Sequence, residues 1–193
     1  MEWEEILRRQ RFAESSLDPK AHNERSGARG IAQITPITLQ EGINNGWVSD
    51  TTEVNDLFNE AISTKFQGNY MADLMQRPWI GSDQKSFTRD VKLAKALAAY
   101  NMGPTKLSGV LNDMLRDGVD IRSNTDWVQL IPEYHRTEEG EPIYESKDYI
   151  NKILLGQNDN FEKGYDSKIT ELDIKSKEGL APWLSPLNIQ EEP

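Results

Sequence analysis

The chain has 193 residues, 22 Lys and Arg against 32 Asp and Glu, a formal net charge of −10 and no cysteine. That composition excludes a disulfide framework, a thiol nucleophile and a cysteine metal site, and it argues against a nucleic-acid partner, because nonspecific binding needs cations to neutralise phosphates. The length suits one domain with a tail or small second lobe, and no apolar run approaches the ~20 residues that cross a bilayer.

The chain opens on Met1-Glu2-Trp3-Glu4-Glu5, an acidic start without the basic and apolar stretches of a secretory signal; the expectation is a protein without a leader that reaches its site by another route. Trp3 to Glu14 reads as an amphipathic helix, with Trp3, Ile6, Leu7, Gln10 and Glu14 on one face and Phe12 on the opposite one, unexplained. Leu17-Asp18-Pro19 breaks it. A stretch containing glycines follows, Ser26-Gly27-Ala28-Arg29-Gly30-Ile31-Ala32-Gln33, and then Thr35-Pro36 reads as a helix start, with Thr as cap and Pro in the first turn. Val54 to Met75 reads as one helix that Gly68 interrupts or passes through, and Arg77 to Asp83 as a loop. Phe87, Val91, Ala94, Ala98 and Asn101 form a stripe of a long helix ended by Gly103-Pro104. Leu107 to Leu115 makes a short helix. Trp127 to Pro132 leads into a polar insertion, His135 to Pro142, and Tyr149 to Leu155 is a last core helix.

After Gly156 the periodicity fades, leaving apolar anchors at Ile169, Leu172, Leu180, Trp183, Leu184 and Leu187. Residues 138–193 hold thirteen Asp and Glu against six Lys and Arg, so the acidity gathers in the last third, where it serves solubility. The chain thus divides into a mainly α domain over residues 1–155 and an acidic extension or tail over 156–193, draped on the domain, disordered, or docking a protein partner.

Glu14 carries the chemistry. It ends the first helix on the face that holds Trp3, Ile6 and Leu7. Desolvation there favours the neutral carboxyl, and the negative end of the helix dipole pushes the same way. Glycoside cleavage needs such an acid, still protonated near neutrality, to protonate the leaving oxygen. Standing alone, this glutamate would be a surface residue on a frayed helix end; its setting decides.

Glu14-Ser15, Asp18-Pro19-Lys20-Ala21 and Gly27-Ala28-Arg29-Gly30-Ile31-Ala32-Gln33-Ile34-Thr35-Pro36 resemble the opening motif of the soluble lytic transglycosylases, the glycoside hydrolase family 23 that also holds the goose-type lysozymes. Ala98-Ala99-Tyr100-Asn101-Met102-Gly103-Pro104 resembles the family's second segment, and Glu145-Ser146-Lys147-Asp148-Tyr149-Ile150 its third. The resemblance implies a lysozyme-like helical domain with a substrate cleft. It implies Glu14 as catalytic acid/base, Gln33 as a cleft glutamine and Tyr100 as a tyrosine whose hydroxyl approaches the catalytic carboxyl. It implies Asn101 and Glu145 as cleft neighbours and Ser15 as a further substrate contact. The loop after Glu14 is one residue longer than the common form, so the place of the family's substrate-binding serine falls to Asn23 or a displaced Ser26. Ile31-Ala32 replaces the usual Leu-Met pair, which makes the cleft wall's side chains smaller. Gly27 and Gly30 permit tight turns and a close backbone approach.

Two-carboxyl hydrolysis needs a second acid across the bond. Asp18, Glu24 and Glu41 follow Glu14 at the wrong places, and nothing marks Asp83 or Asp90. The resemblance, together with the missing second acid, therefore implies a lytic transglycosylase. Glu14 cleaves the β-1,4 bond between N-acetylmuramic acid and N-acetylglucosamine as acid, then as base closes a 1,6-anhydro ring. The alternatives are a hydrolytic muramidase, or a non-catalytic glycan-binding or structural part of a virion or secretion assembly. No cofactor or metal is expected: His22 and His135 lie in polar loops without ligand spacing and are read as solvent-exposed. The expected partner is peptidoglycan glycan, which the protein meets at the bacterial cell wall either after delivery by a phage virion or secretion machine or as a periplasmic enzyme.

Overall fold

The structure is a computed structural model and describes residues 1–78, 87–155 and 159–177. It is mainly helical, and pairing among the described residues is limited to isolated bridges, His22 with Arg29, Arg29 with Ile34 and Arg136 with Pro142. The chain forms two compact units, 1–157 and 158–193.

In the first unit, α1 (Trp3–Ser15) buries Ile6, Leu7, Gln10 and Arg11, while Phe12 stays partly exposed. α2 (Pro36–Asn44) starts as the sequence suggests. Pro36 takes the first turn, and the Thr35 side chain accepts the Thr38 N–H. The long helix expected over 54–75 is two elements. Val54–Phe58 is a 3-10 turn, and α3 (Glu60–Gln76) begins afresh where extended Asn59 caps the Ala61 and Ile62 N–H groups. The reason is Asn side-chain chemistry, which competes with backbone helix bonds. Gly68 lies within α3 and does not interrupt it.

The core centres on α4 (Arg89–Met102), which packs against α3, α5 (Pro104–Arg116) and α7 (Glu145–Ile150). Leu93 through Ala99 are all buried, Lys95 among them, so this stretch of α4 is enclosed nearly all round, as the middle of a central helix is. Its alanines let neighbours approach closely, and a fully buried leucine such as Leu97 contributes roughly 2 kcal/mol. α6 (Trp127–Tyr134) follows, and α7 runs on as a π-helical turn, Asn151–Leu155, that packs against α1. This last element starts four residues before the expected Tyr149.

His135 corrects the reading of an exposed loop histidine. It is buried, its N–H bonds Ile131 O at 2.8 Å and its carbonyl accepts the Ile143 N–H at 2.8 Å, at the base of the 136–142 hairpin. Desolvation by that burial lowers its pKa.

In the second unit, α8 (Asp159–Lys177) occupies part of the stretch read as irregular. Phe161, Tyr165, Ile169 and Leu172 recur at three- and four-residue spacing on it. No helix among the described residues is long and apolar enough to cross a membrane. Asp83, part of the 77–83 loop, and the anchors Leu180, Trp183, Leu184 and Leu187 lie outside the described residues.

Candidate active site

The end of α1 sets the site. Ser16 and Leu17 adopt the left-handed region, with φ of 55° and 63°, and the Ser16 N–H closes the helix on Phe12 O. The turn drives Leu17 inward and leaves Glu14 in the last helical turn, which has no basic residue to offset the dipole.

Glu14 is partly exposed as a residue, but its carboxyl is hemmed in by protein. Burial raises its pKa from 4.5 to about 7, and the Glu145 charge adds to the rise. One bond opposes it, the Tyr149 hydroxyl donating to Oε1 at 2.5 Å. Glu145 is exposed at the start of α7, one turn before Tyr149. Burial and the Glu14 charge also raise the pKa of Tyr149 and of Tyr100 well above the phenol range, so both remain protonated donors.

The ionised Glu14 must also cost stability. The folded state binds its proton more tightly than the unfolded chain, so stability is fullest below pH 4.5 and falls as pH rises to about 7. The loss is at most about 3 kcal/mol. Thermal melts of wild type and Glu14→Gln should therefore coincide near pH 4, with the variant melting higher above neutrality. A wild-type advantage at high pH would contradict this.

The loop carrying Gln33 is pinned from two sides. The Ser15 hydroxyl donates to Ile31 O at 2.8 Å, and the Tyr100 hydroxyl donates to Ala32 O at 2.7 Å. Tyr100, expected to approach the catalytic carboxyl, lies within electrostatic reach of Glu14 but spends its hydrogen on the loop. The hydroxyl bonded to Glu14 belongs to Tyr149. Gln33 itself holds φ at 49°, and its amide nitrogen donates to Ala21 O at 3.2 Å and Gly30 O at 3.1 Å. Asn101 Oδ1 accepts the Ser146 hydroxyl at 2.6 Å, which ties the end of α4 to α7.

The structure thus brings Tyr149, Tyr100 and Glu145 to the helix end that holds Glu14 and Ser15, while the Gln33 side chain bonds within its own loop and Asn101 bonds Ser146. Asn23 is different. It is exposed, and its Oδ1 accepts the N–H groups of Arg25 and Ser26, which organises the loop. Ser26 is exposed too and accepts the Ala28 N–H.

The other carboxylates weighed as a second acid point elsewhere. Asp18 accepts the Lys20 N–H, Glu24 and Asp90 are exposed, and Glu41 pairs with Arg77. Among the described residues, Glu145 is the carboxylate whose charge acts on Glu14. An aromatic row backs the site: Trp47 and Tyr70 at 5.2 Å between ring centroids, then Tyr70 and Tyr100 at 5.3 Å. The sequence reading assigns no site role to Tyr149 or Tyr70. Tyr149 had two available signals, its place in the third family-like segment and its position four residues after Glu145, on the same side of a helix.

A protein-family model described as "Transglycosylase SLT domain" matches residues 4–113. That span includes Glu14, Gln33, Tyr100 and Asn101, while Glu145 and Tyr149 lie beyond it. No curated protein matches the chain.

Proposed function

The chain belongs to the transglycosylase SLT domain family, whose substrate is peptidoglycan, and from that premise we propose that it cleaves the β-1,4 bond between N-acetylmuramic acid and N-acetylglucosamine with Glu14 as both acid and base. Protonated Glu14 gives its proton to the glycosidic oxygen as the C1–O bond breaks. The resulting carboxylate then takes the proton of the muramoyl C6 hydroxyl, whose oxygen closes on C1 as a 1,6-anhydro ring. The proton returns to Glu14, no water is consumed, and the acid is ready for the next bond.

The observation that carries this reading is a single carboxyl whose pKa stands at about 7, where both protonation states are accessible. Asn101, Gln33 and Glu145 would contact the sugar, and Ser15 and Tyr100 would hold the Gln33 loop in place. Asn23 would shape the longer loop. Action at the cell wall follows from the substrate.

Glu145 motivates a second reading, hydrolysis, in which it would serve as base for a water molecule. Mass spectrometry of digested peptidoglycan separates the two. The lytic reading expects anhydro-muropeptides from the wild type. It expects them again from Glu145→Gln, with the high-pH limb of activity moved down because the neighbouring negative charge no longer raises Glu14. Reducing-end products that vanish in Glu145→Gln would establish hydrolysis instead.

A further inference from the structure

The loop that carries Gln33 also gathers cations that the proposed reaction does not use. Its two limbs run against each other. His22 pairs with Arg29 in an isolated bridge, the Asn23 N–H bonds Ala28 O at 2.9 Å and the Gly30 N–H bonds Ala21 O at 3.0 Å. Ala21 O also accepts the Gln33 amide at 3.2 Å, and Ser15 ties the same loop to the end of α1 through Ile31 O. Three side chains of these limbs meet the ring of Phe58, the last residue of the 3-10 turn. Lys20 Nζ stands 5.9 Å from the ring centroid and Arg29 Cζ 5.6 Å. The His22 ring meets Phe58 edge-on, with centroids 6.4 Å apart. Lys20 and His22 are exposed, and Arg29 and Phe58 are half-buried.

The ring accounts for only part of this cluster. An aromatic face attracts a cation within about 6 Å, but drawing two cations to one ring also sets like charges near each other. Neither charge is neutralised: among the described residues, Lys20 and Arg29 form no ion pair. Asp18, close by in sequence, accepts the Lys20 backbone N–H at 2.8 Å instead. Donors are left over as well. An ammonium has three and a guanidinium five. Lys20 Nζ gives one hydrogen to Phe58 O at 3.4 Å. Arg29 Nη1 donates to Asn55 Oδ1, and Arg29 Nε is buried without an acceptor. In a chain of formal net charge −10, two unpaired cations with spare donors on one ring complement an anion, and a carboxylate suits both.

Peptidoglycan offers such an anion. Its stem-bearing sugars are uncharged, and its negative charge sits on the carboxylates of the peptide stems. We propose that Lys20, Arg29 and Phe58, with His22 at their edge, form a subsite for the carboxylates of the peptide stem that hangs from the muramoyl lactyl group. The inference rests on peptidoglycan being the substrate and extends that reading from the sugar to its stem. Strands with free stem carboxylates are then preferred over strands whose carboxylates are amidated.

NMR titration of the full chain with the free tetrapeptide stem tests this. The probe contains no glycosidic bond, so the wild-type protein is used. The Arg29 Nε–H signal and the backbone amides of residues 20–29 should shift saturably. The same peptide with its carboxylates amidated should leave them in place. Lys20→Gln and Arg29→Gln should each weaken binding by about fivefold, the scale of one exposed charge pair. If Arg29→Gln fails to fold, Lys20→Gln, at an exposed position, decides by itself.

No shift with the acidic stem, equal shifts with the amidated one, or unchanged affinity in Lys20→Gln would each overturn the subsite. So would inorganic phosphate bound as tightly as the stem, which would assign the cluster to a phosphate polymer of the wall. Stem binding by a protein that leaves walls intact would sink the proposed cleavage and keep the subsite. Clearing of walls without stem binding would do the reverse.

Discussion

Glu14→Gln is expected to lower the clearing of purified cell walls by about a thousandfold, within the range that general acid and base catalysis contributes. Glutamine keeps the size of the side chain and can still receive the Tyr149 hydrogen, so binding and fold should persist. What it lacks is a proton to give to a glycosidic oxygen and a carboxylate to take one back. The loss should therefore fall on kcat with little change in KM. A turbidity assay of wild type and variant at equal concentration reads this directly. If the two cleared walls at the same rate, Glu14 would not be the acid, and if neither cleared them, the chain would be a glycan-binding or structural component built on the same fold.

Gly30→Ala carries the largest expected loss of stability. Gly30 has φ of 76°, and a Cβ built there would stand 1.9 Å from Leu57 O, a backbone atom that cannot swing aside. The left-handed backbone costs an alanine about 1–2 kcal/mol and the overlap about 1–3 more. The sum is a large share of the ~5–15 kcal/mol by which a domain is stable. Gly27 is the comparison. Its φ is 71°, yet its Cβ would lie 3.4 Å from Pro36 Cγ, so Gly27→Ala should lose only the backbone component. Denaturant unfolding should rank Gly30→Ala well below Gly27→Ala, and equal losses would mean that contact with Leu57 is unimportant.

The two glycines mark where the sequence stops being legible. Both are readable as loop glycines, but only the fold brings the Leu57 carbonyl against one of them. The first helix is legible because Trp3, Ile6, Leu7 and Gln10 repeat at helical spacing. The burial of Arg11 is not, because its partner Gln67 stands on another helix and no local pattern announces it. Asn59 hides in the same way: the apolar spacing runs on across residues 54–75, and only cap geometry shows that one helix ends and another begins.

His135 fails for a related reason. A charged neighbourhood is a good sign of solvent for a segment, yet one residue at a helix end can turn inward while the rest of its hairpin stays out. Among the site residues, the position of Glu14 at a helix end was readable. That the hydroxyl bonded to it is Tyr149's, with Tyr100 turned to Ala32, depends on helix packing that the motifs do not encode.

The whole account turns on the acidity of one carboxyl, and carbon-13 NMR titration of Glu14 in the wild-type protein measures it most directly. A midpoint near 7, with Glu14→Gln removing the signal, is the predicted result. A midpoint close to the ordinary glutamate value of 4.5 would leave no acid to protonate the sugar bridge at working pH and would contradict the account.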